Sequence, residues 1–392
     1  MLETERGVRV RVLADDLTGA ADAGVAFVDT ESRPRLVLDA GAAAWMGTQP
    51  IVAADADSRD ADVEQSRTQV AALAPGLIWA DIAVKKVDSL LRGHLRAELT
   101  VLRGLLPDTA MVVAPAFPAV GRTTRGGRLH AHAGVRASIP ELLAPLPVMV
   151  VELDDVRAGP TTLTALLAEA ADRGEIISCD AETDADLASI ALAGRRLDRR
   201  ALWIGSGGLT HALAGRTIPV AGLRLPHAGA SRFLAVIGST SPVAARQADA
   251  LRSLSSTPVD LPVQTVIAVS ASGAGQAHID RAAARVNPVV RVTGPVDPSA
   301  AAAVAAGLAA AVAPAVLRVS LLVLTGGATA RAVLLACGLT QLELLGELEP
   351  GVVLLATNRS EPAYVITKAG TFGDDHTLLR AVRAVIGGRC DR

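Results

Sequence analysis

The chain has 392 residues, half of them apolar by type, with 38 basic against 40 acidic side chains and only 2% aromatics. Interspersed, nearly balanced charge excludes a nucleic-acid or membrane-surface protein, which would carry a basic face, and so few aromatic rings exclude a stacking platform for single strands. Three scattered cysteines (Cys179, Cys337, Cys390) with no CxxC pair suggest neither a disulfide framework nor a zinc site and fit a reducing cytoplasm.

In chain order, MLETERGVRV has no apolar signal core, which also points to the cytoplasm. Apolar β-type runs then occur at 8–14, 36–38, 51–54, 82–87, 111–114, 148–153, 176–179 and 201–204, with helical segments such as 95–106 and 162–172 between them. Strand–helix alternation with near-continuous apolar strands predicts a parallel sheet covered on both faces. The stretch 216–231 breaks the rhythm with Pro219, Gly222, Pro226 and Gly229, and a domain boundary is expected there, giving domains 1–225 and 226–392. A second α/β set follows, with strands at 233–237, 265–269, 321–324, 352–355 and 364–366 and helices at 243–254, 299–312, 329–337 and 375–386. The tract 300–316 is mostly alanine and reads as a buried amphipathic helix, not a membrane span.

Open parallel sheets bind ligands at the carboxyl ends of their strands, so strand exits are where chemistry is sought. The first exit is Asp15-Asp16-Leu17-Thr18-Gly19. A carboxylate there can act as a general base or hold a cation, with Thr18 expected to cap the next helix; equally, Asp16 is itself a helix N-cap. The second exit is Lys85-Lys86-Val87-Asp88-Ser89, followed by Leu90, Leu91, Arg92, Gly93 and His94. Two lysines in an apolar strand need partners. Arg92 and Gly93, expected in a first helical turn, suit recognition of a carboxylate; an internal salt bridge with a cap is the plainer reading. The third is the loop from Ala114 to Thr124, rigid with Pro115 and Pro118, in which Arg122 and two hydroxyls suit an anionic or polyhydroxylated ligand. His130 and His132 follow on a loop as surface or substrate-contact residues more than metal ligands, and no metal site is expected from the chain's own side chains.

The second half has small residues at its strand exits: Gly238-Ser239-Thr240-Ser241-Pro242, with Ser241 as N-cap and Pro242 at the first helical position; Thr325 to Ala330; and Lys368 to Gly373, where Lys368 adds a cation. Each alone is an ordinary capped turn. Three in one domain suggest a cradle for a nucleotide's phosphates. No GxxxxGK[ST], GxGxxG or GxSxG sequence occurs.

Taken together, "LADDLTGAADAG", "KKVDSLLRGH", "APAFPAVGRTT", "IGSGGLTHALA", "GSTSP", "LTGGATARAV", "GELEPGVVLLA" and "TKAGTFGDDHTLLRAV" give a chain that resembles, nearly end to end, the four-carbon acid sugar kinase family. The resemblance implies two α/β domains, each with a mainly parallel sheet flanked by helices, and an active site in the interdomain cleft. It implies ATP-dependent phosphorylation of the terminal hydroxyl of a short sugar acid such as a threonate, an erythronate or 3-oxo-tetronate, with Mg²⁺. By motif, Asp15 and Asp16 belong to the acid turn and Lys86, Asp88, Ser89 and Arg92 to the substrate loop, with Arg122 in the Gly-Arg-Thr loop. Ser239, Gly327, Ala328, Thr329, Ala330 and Gly370 fall at ATP-contacting positions. Asp16 is expected to orient or deprotonate the hydroxyl, with Asp88 as its rival; Lys86 and Arg92 are expected to grip the substrate carboxylate. The chain departs from the family pattern at Leu90 (usually Thr), His94 (usually Asn) and Ala328 (usually acidic), and in a short 132–147 segment. Three other readings stay open: a diverged paralogue acting on another sugar acid; a sugar-acid aldolase or dehydrogenase, with Lys85 or Lys86 as a Schiff-base lysine in the aldolase; and a ligand-binding pseudo-kinase. A homodimer is expected on general grounds alone.

Overall fold

The computed structural model describes residues 8–28, 33–38, 45–131, 134–215, 232–254, 258–272, 287–359 and 362–386. Internal contacts divide the chain into two units, Met1–Ile218 and Pro219–Arg392. The expected linker 216–231, His132 and Cys390 lie outside the described residues. Among the described residues, no helix is long and apolar enough to cross a membrane.

The first unit contains β1 (Val10–Ala14), β2 (Arg35–Val37), β3 (Ile51–Asp55), β4 (Ile82–Lys86), β5 (Ala110–Ala114), β6 (Arg122–Arg125), β7 (Arg128–Ala131), β8 (Gly134–Ser138), β9 (Val148–Val151), β10 (Ile176–Cys179) and β11 (Ala201–Gly205). Its main sheet runs β2-β3-β1-β4-β11-β5-β10-β9, and every neighbouring pair is parallel. Helices lie on both faces, so β1, β3 and β5 are buried along their whole length. One apolar cluster under the helices Val63–Ile78 and Leu95–Leu105 gathers Leu13, Val52, Leu73, Leu99, Val113 and Ile204.

The segment expected as a loop with two histidines forms a separate antiparallel sheet, β6-β7-β8, with His130 on its middle strand. Its strands hold too many polar and small residues to show an alternating pattern. What defines them is turn chemistry, with Gly126 and Gly127 both at positive φ between β6 and β7.

The second unit adds β12 (Phe233–Ile237), β13 (Pro258–Pro262), β14 (Val289–Thr293), β15 (Leu321–Thr325), β16 (Gln341–Glu349), β17 (Val352–Ala356) and β18 (Tyr364–Lys368). The parallel part runs β13-β14-β12-β15-β18, and β17 and β16 continue it antiparallel. Strands β13, β14 and β16 had no counterpart in the sequence reading. The run at 265–269, expected as a strand from its β-branched residues, is instead part of the helix Val263–Ser272. It packs so tightly on the helix Ala301–Val316 that a side chain on Gly307 would strike the Val266 carbonyl. That small-residue contact overrides local β propensity. The alanine-rich tract forms this second helix, with Val304, Leu308, Val312 and Val316 buried.

Candidate active site

At the carboxyl edge of the first sheet, β1 exits into Asp15 and Asp16, β3 into Ala56 to Arg59, and β4 into Val87 to Arg92. These three strands are neighbours in the order β3-β1-β4, so their exits meet. The β3 exit folds over β1 because the Ser58 and Arg59 amides both donate to the Asp15 carbonyl, at 3.0 and 3.1 Å. That brings the Arg59 side chain onto the acid turn. Its Nε and Nη2 donate to the two Asp15 carboxylate oxygens at 2.9 and 2.8 Å. Its Nη1 lies 2.7 Å from Asp16 Oδ2, and its Nη2 lies 3.9 Å from Asp88 Oδ1. Arg59 is thus the hub of three carboxylates, and the sequence reading missed it. Its signal in the sequence is a cation at a strand exit, Asp57-Ser58-Arg59 after β3, the neighbour of β1.

Asp16 is the N-cap of the helix Leu17–Val25: Oδ1 accepts the Gly19 N–H at 2.8 Å and Oδ2 accepts the Thr18 hydroxyl at 2.7 Å. Thr18, expected as the cap, sits inside the helix and donates to the cap, because the β-region backbone a cap needs falls at Asp16. Arg92 and Gly93, expected in a first helical turn, precede the helix. His94 is the N-cap position, and Gly93 has φ 93°, which no helix accepts. Instead Asp88 organises the turn. It accepts from the Leu90 and Arg92 amides at 3.1 and 3.3 Å and takes the Arg92 guanidinium in a fork, 2.8 Å to each oxygen. From β6, Arg122 Nη1 donates to the Ser89 hydroxyl.

Burial works to raise the pKa of Asp15, but Arg59, Lys85 and Lys86 outweigh it and hold the carboxyl below its ordinary value. For Asp88, burial is likewise overcome, by the Arg92 fork and by Arg59, and its basicity is strongly reduced. Burial opposes the charge of Arg59, yet Asp16, Asp15 and Asp88 hold it more firmly protonated than usual. Burial, helped by Arg92 and opposed by Asp88 and Asp22, lowers the pKa of Arg122.

The two lysines of β4 do find partners, on opposite faces of the sheet as alternation requires. Lys85 lies 2.9 Å from Glu98 and is fully buried, and Lys86 lies 3.9 Å from Asp22. Glu98 Oε1 also accepts from Ser58 and, at 3.1 Å, from Ser66.

In the second unit the exits of β12, β15 and β18, again adjacent strands, press together. A side chain on Gly238 would collide with Thr329 Oγ1, and one on Gly370 with Ser239 Oγ. Ser241 caps the helix Pro242–Leu251 as expected, accepting from the Ala244 N–H at 3.1 Å, and donates to the Gly370 carbonyl at 2.8 Å. Gly326, at φ 97°, opens the helix Gly327–Ala336 without any side-chain cap, which leaves the first turn's amides bare. Ala328 is exposed there and Thr329 and Ala330 are buried. Lys368 does not project into this space as expected. Its ammonium folds back onto the carbonyls of Ala369 and Phe372, at 2.6 and 3.0 Å, and burial lowers its pKa to about 8.

Among the described residues no group of three or more side chains is arranged to hold a metal ion. The chain matches the model of a sugar-binding N-terminal domain over residues 10–213 and that of a nucleotide-binding C-terminal domain over 234–378. It is 36% identical to a D-threonate kinase of Cupriavidus necator, over 96% of this chain and 98% of that protein. It is 31% identical to a D-threonate kinase of Bordetella bronchiseptica, over 97% and 98% respectively. A solved structure from Salmonella typhimurium LT2 shares the fold, with a TM-score of 0.78 at 20% identity over 96% of this chain and 99% of that one. The chain belongs to the four-carbon acid sugar kinase family.

Proposed function

We propose that this chain transfers the terminal phosphoryl group of ATP to the terminal hydroxyl of a four-carbon sugar acid such as D-threonate. The observation that carries the reading is the contrast within one chain between a strand-end corner of carboxylates and guanidiniums and a strand-end corner of bare glycines. Phosphoryl transfer asks little covalent chemistry of a protein; it asks for positioning and for charge stabilisation.

Asp16 is the group assigned to orient or deprotonate the attacking hydroxyl. Asp88 is a poor base, because the Arg92 fork and Arg59 hold its basicity down. Arg92 and Arg122 meet at consecutive residues, Asp88 and Ser89, and supply the positive charge that a sugar acid's carboxylate requires. Asp15, locked to Arg59, fixes that hub in place.

The second unit suits a nucleotide. A side chain at Gly238 would collide with Thr329 and one at Gly370 with Ser239, and the amides of Gly327, Ala328 and Thr329 open an uncapped helix. Those amides, Ser239 and Gly370 would hold the phosphate chain, and bound ATP with Mg²⁺ supplies the transferable phosphoryl group. Mg²⁺ is commonly held by phosphate oxygens, waters and one or two carboxylates, so it needs no dedicated cage. Transfer requires the two corners to meet when both substrates are bound.

The test is ADP release by the purified chain across four- and five-carbon sugar acids, with Asp16→Asn beside the wild type. Asparagine caps a helix as well as aspartate does, so the fold is preserved. The expected result is turnover with a four-carbon acid and a loss of about a hundredfold or more in kcat in Asp16→Asn. Near-normal turnover of the variant removes Asp16 from the role.

A further inference from the structure

Lys85 and Lys86 are consecutive, both buried, and each reaches one carboxylate, but the two carboxylates are not equally engaged. Glu98 receives Lys85 at 2.9 Å on one oxygen and two serine hydroxyls on the other. Asp22, on the helix Leu17–Val25, is 9% exposed; Lys86 lies 3.9 Å from its Oδ2, and the Asp22 charge also acts on Arg122 and His211. Among the described residues its Oδ1 has no hydrogen-bond partner. Lys86 is 4% exposed, and its ammonium, with three hydrogens to donate, makes one hydrogen bond, to the Val87 carbonyl at 3.1 Å. A buried carboxylate oxygen left unpaired is costly, and so is an under-used buried ammonium. Glu98, the partner of Lys85, has both oxygens engaged, whereas Asp22, the partner of Lys86, has one oxygen left over.

Glycines pack closely against this pair at both ends, where no side chain would fit. A Cβ on Gly19 would lie 3.0 Å from Lys86 Nζ and 2.6 Å from Asp16 Oδ1. A Cβ on Gly207, at the start of the helix Gly207–Ala214, would lie 2.7 Å from Asp22 Oδ2. The group that completes the pair must donate to a carboxylate and accept from an ammonium. An anion is repelled by Asp22 and a cation by Lys86, whereas a hydroxyl does both. We propose that Asp22 and Lys86 form a subsite for one secondary hydroxyl of the sugar acid, and that this subsite decides which hydroxyl pattern the enzyme accepts. The proposal rests on the sugar-acid kinase reading above and moves Lys86 from gripping the carboxylate to reading the carbon chain.

The experiment compares kcat/KM for D-threonate with that for the two tetronates lacking either the 2-hydroxyl or the 3-hydroxyl, in wild type, Asp22→Ala and Asp22→Asn. A site built to hydrogen-bond a hydroxyl rejects the analogue without it, so the wild type should disfavour one of the two deoxy acids by about 100-fold or more. Asp22→Ala should narrow that ratio to about tenfold or less while the KM for ATP stays within about twofold, since the lost discrimination is the lost hydroxyl contact. Asp22→Asn keeps the shape and an acceptor but not the charge, and should fall between the two. Should both variants slow all three acids in equal proportion, Asp22 is merely structural and the subsite is overturned. A wild type that releases no ADP with any of the acids overturns the kinase reading itself, and the subsite with it.

Discussion

The acid corner after β1, β3 and β4 and the glycine corner after β12, β15 and β18 hold the same topological position in their sheets and are made of opposite materials. In the first, side chains carry the charge, and guanidiniums answer carboxylates. Arg59 answers Asp15 and Asp16 directly and reaches Asp88. In the second, backbone amides carry the positive potential, and what matters is that no side chain caps the helix that opens at Gly327. Neutralisation governs one corner and close packing of small residues the other, so the two should fail differently when disturbed.

The largest expected effect is at the hub. Arg59→Gln removes the partner of a carboxyl that is 3% exposed, and breaking a buried ion pair costs about 3–5 kcal/mol. The pH dependence should change with it. Asp15 and Asp88 titrate below their ordinary value of 3.8 in the folded chain. Their contribution is therefore fully present above about pH 4 and lost as pH falls through the lower folded values. Without Arg59, burial pushes the Asp15 carboxyl upward, and acid unfolding should begin at higher pH. Urea unfolding and circular dichroism against pH check both, and unchanged stability would mean that Arg59 is no hub.

How far this was legible in the sequence follows from the same contrast. The glycine corner announced itself, because small residues at three strand exits are visible one at a time, and the structure only had to bring Gly238 against Thr329 and Gly370 against Ser239. The acid corner was half legible. Asp15, Asp16, Asp88 and Arg92 lie in two motifs, but the residue that joins them comes from a third strand exit, and a long-range ion pair leaves no local trace. Lys368 was misjudged for a related reason: a lysine at a strand exit reads as a cation for a ligand, whereas its burial and two nearby carbonyls make it a brace for its own turn. The antiparallel β6-β7-β8 sheet and β13, β14 and β16 lack the long apolar runs that mark the central strands. The helix Val263–Ser272 was misread because β-branched residues spoke for a strand and only the packed neighbour spoke for a helix.

A middle-sized effect should appear in the glycine corner. Gly238→Ala puts a methyl group where Thr329 Oγ1 stands, and overpacking of this kind costs about 1–3 kcal/mol. Here the signature is selective. The KM for ATP should rise about tenfold or more while the KM for the sugar acid stays within about twofold, because uniform binding of only one substrate is lost. Steady-state kinetics with each substrate varied in turn reads this directly. An equal rise in both constants would erase the proposed division between the two corners.

The smallest effect on stability, and the sharpest probe of the acid corner, is Arg92→Ala. The fork between Arg92 and Asp88 has ideal bidentate lengths, yet the Arg92 side chain is 62% exposed, so solvent screens the pair and its loss should cost about 1 kcal/mol or less. Asp88 keeps the Leu90 and Arg92 amides and Arg59, which suffice to hold the turn. Its carboxyl should nonetheless titrate closer to the ordinary value, since the Arg92 hydrogen bond is the foremost influence holding it down against burial. If Arg92 served only to brace Asp88, catalysis would follow stability and scarcely change. If it serves the substrate's carboxylate, the KM for the sugar acid should rise about tenfold or more with the thermal midpoint almost unmoved. A charged residue that the fold can spare and the reaction cannot is the mark of a corner built for a ligand, and this one substitution separates the two roles that the Arg59 hub, by its depth, must always confound.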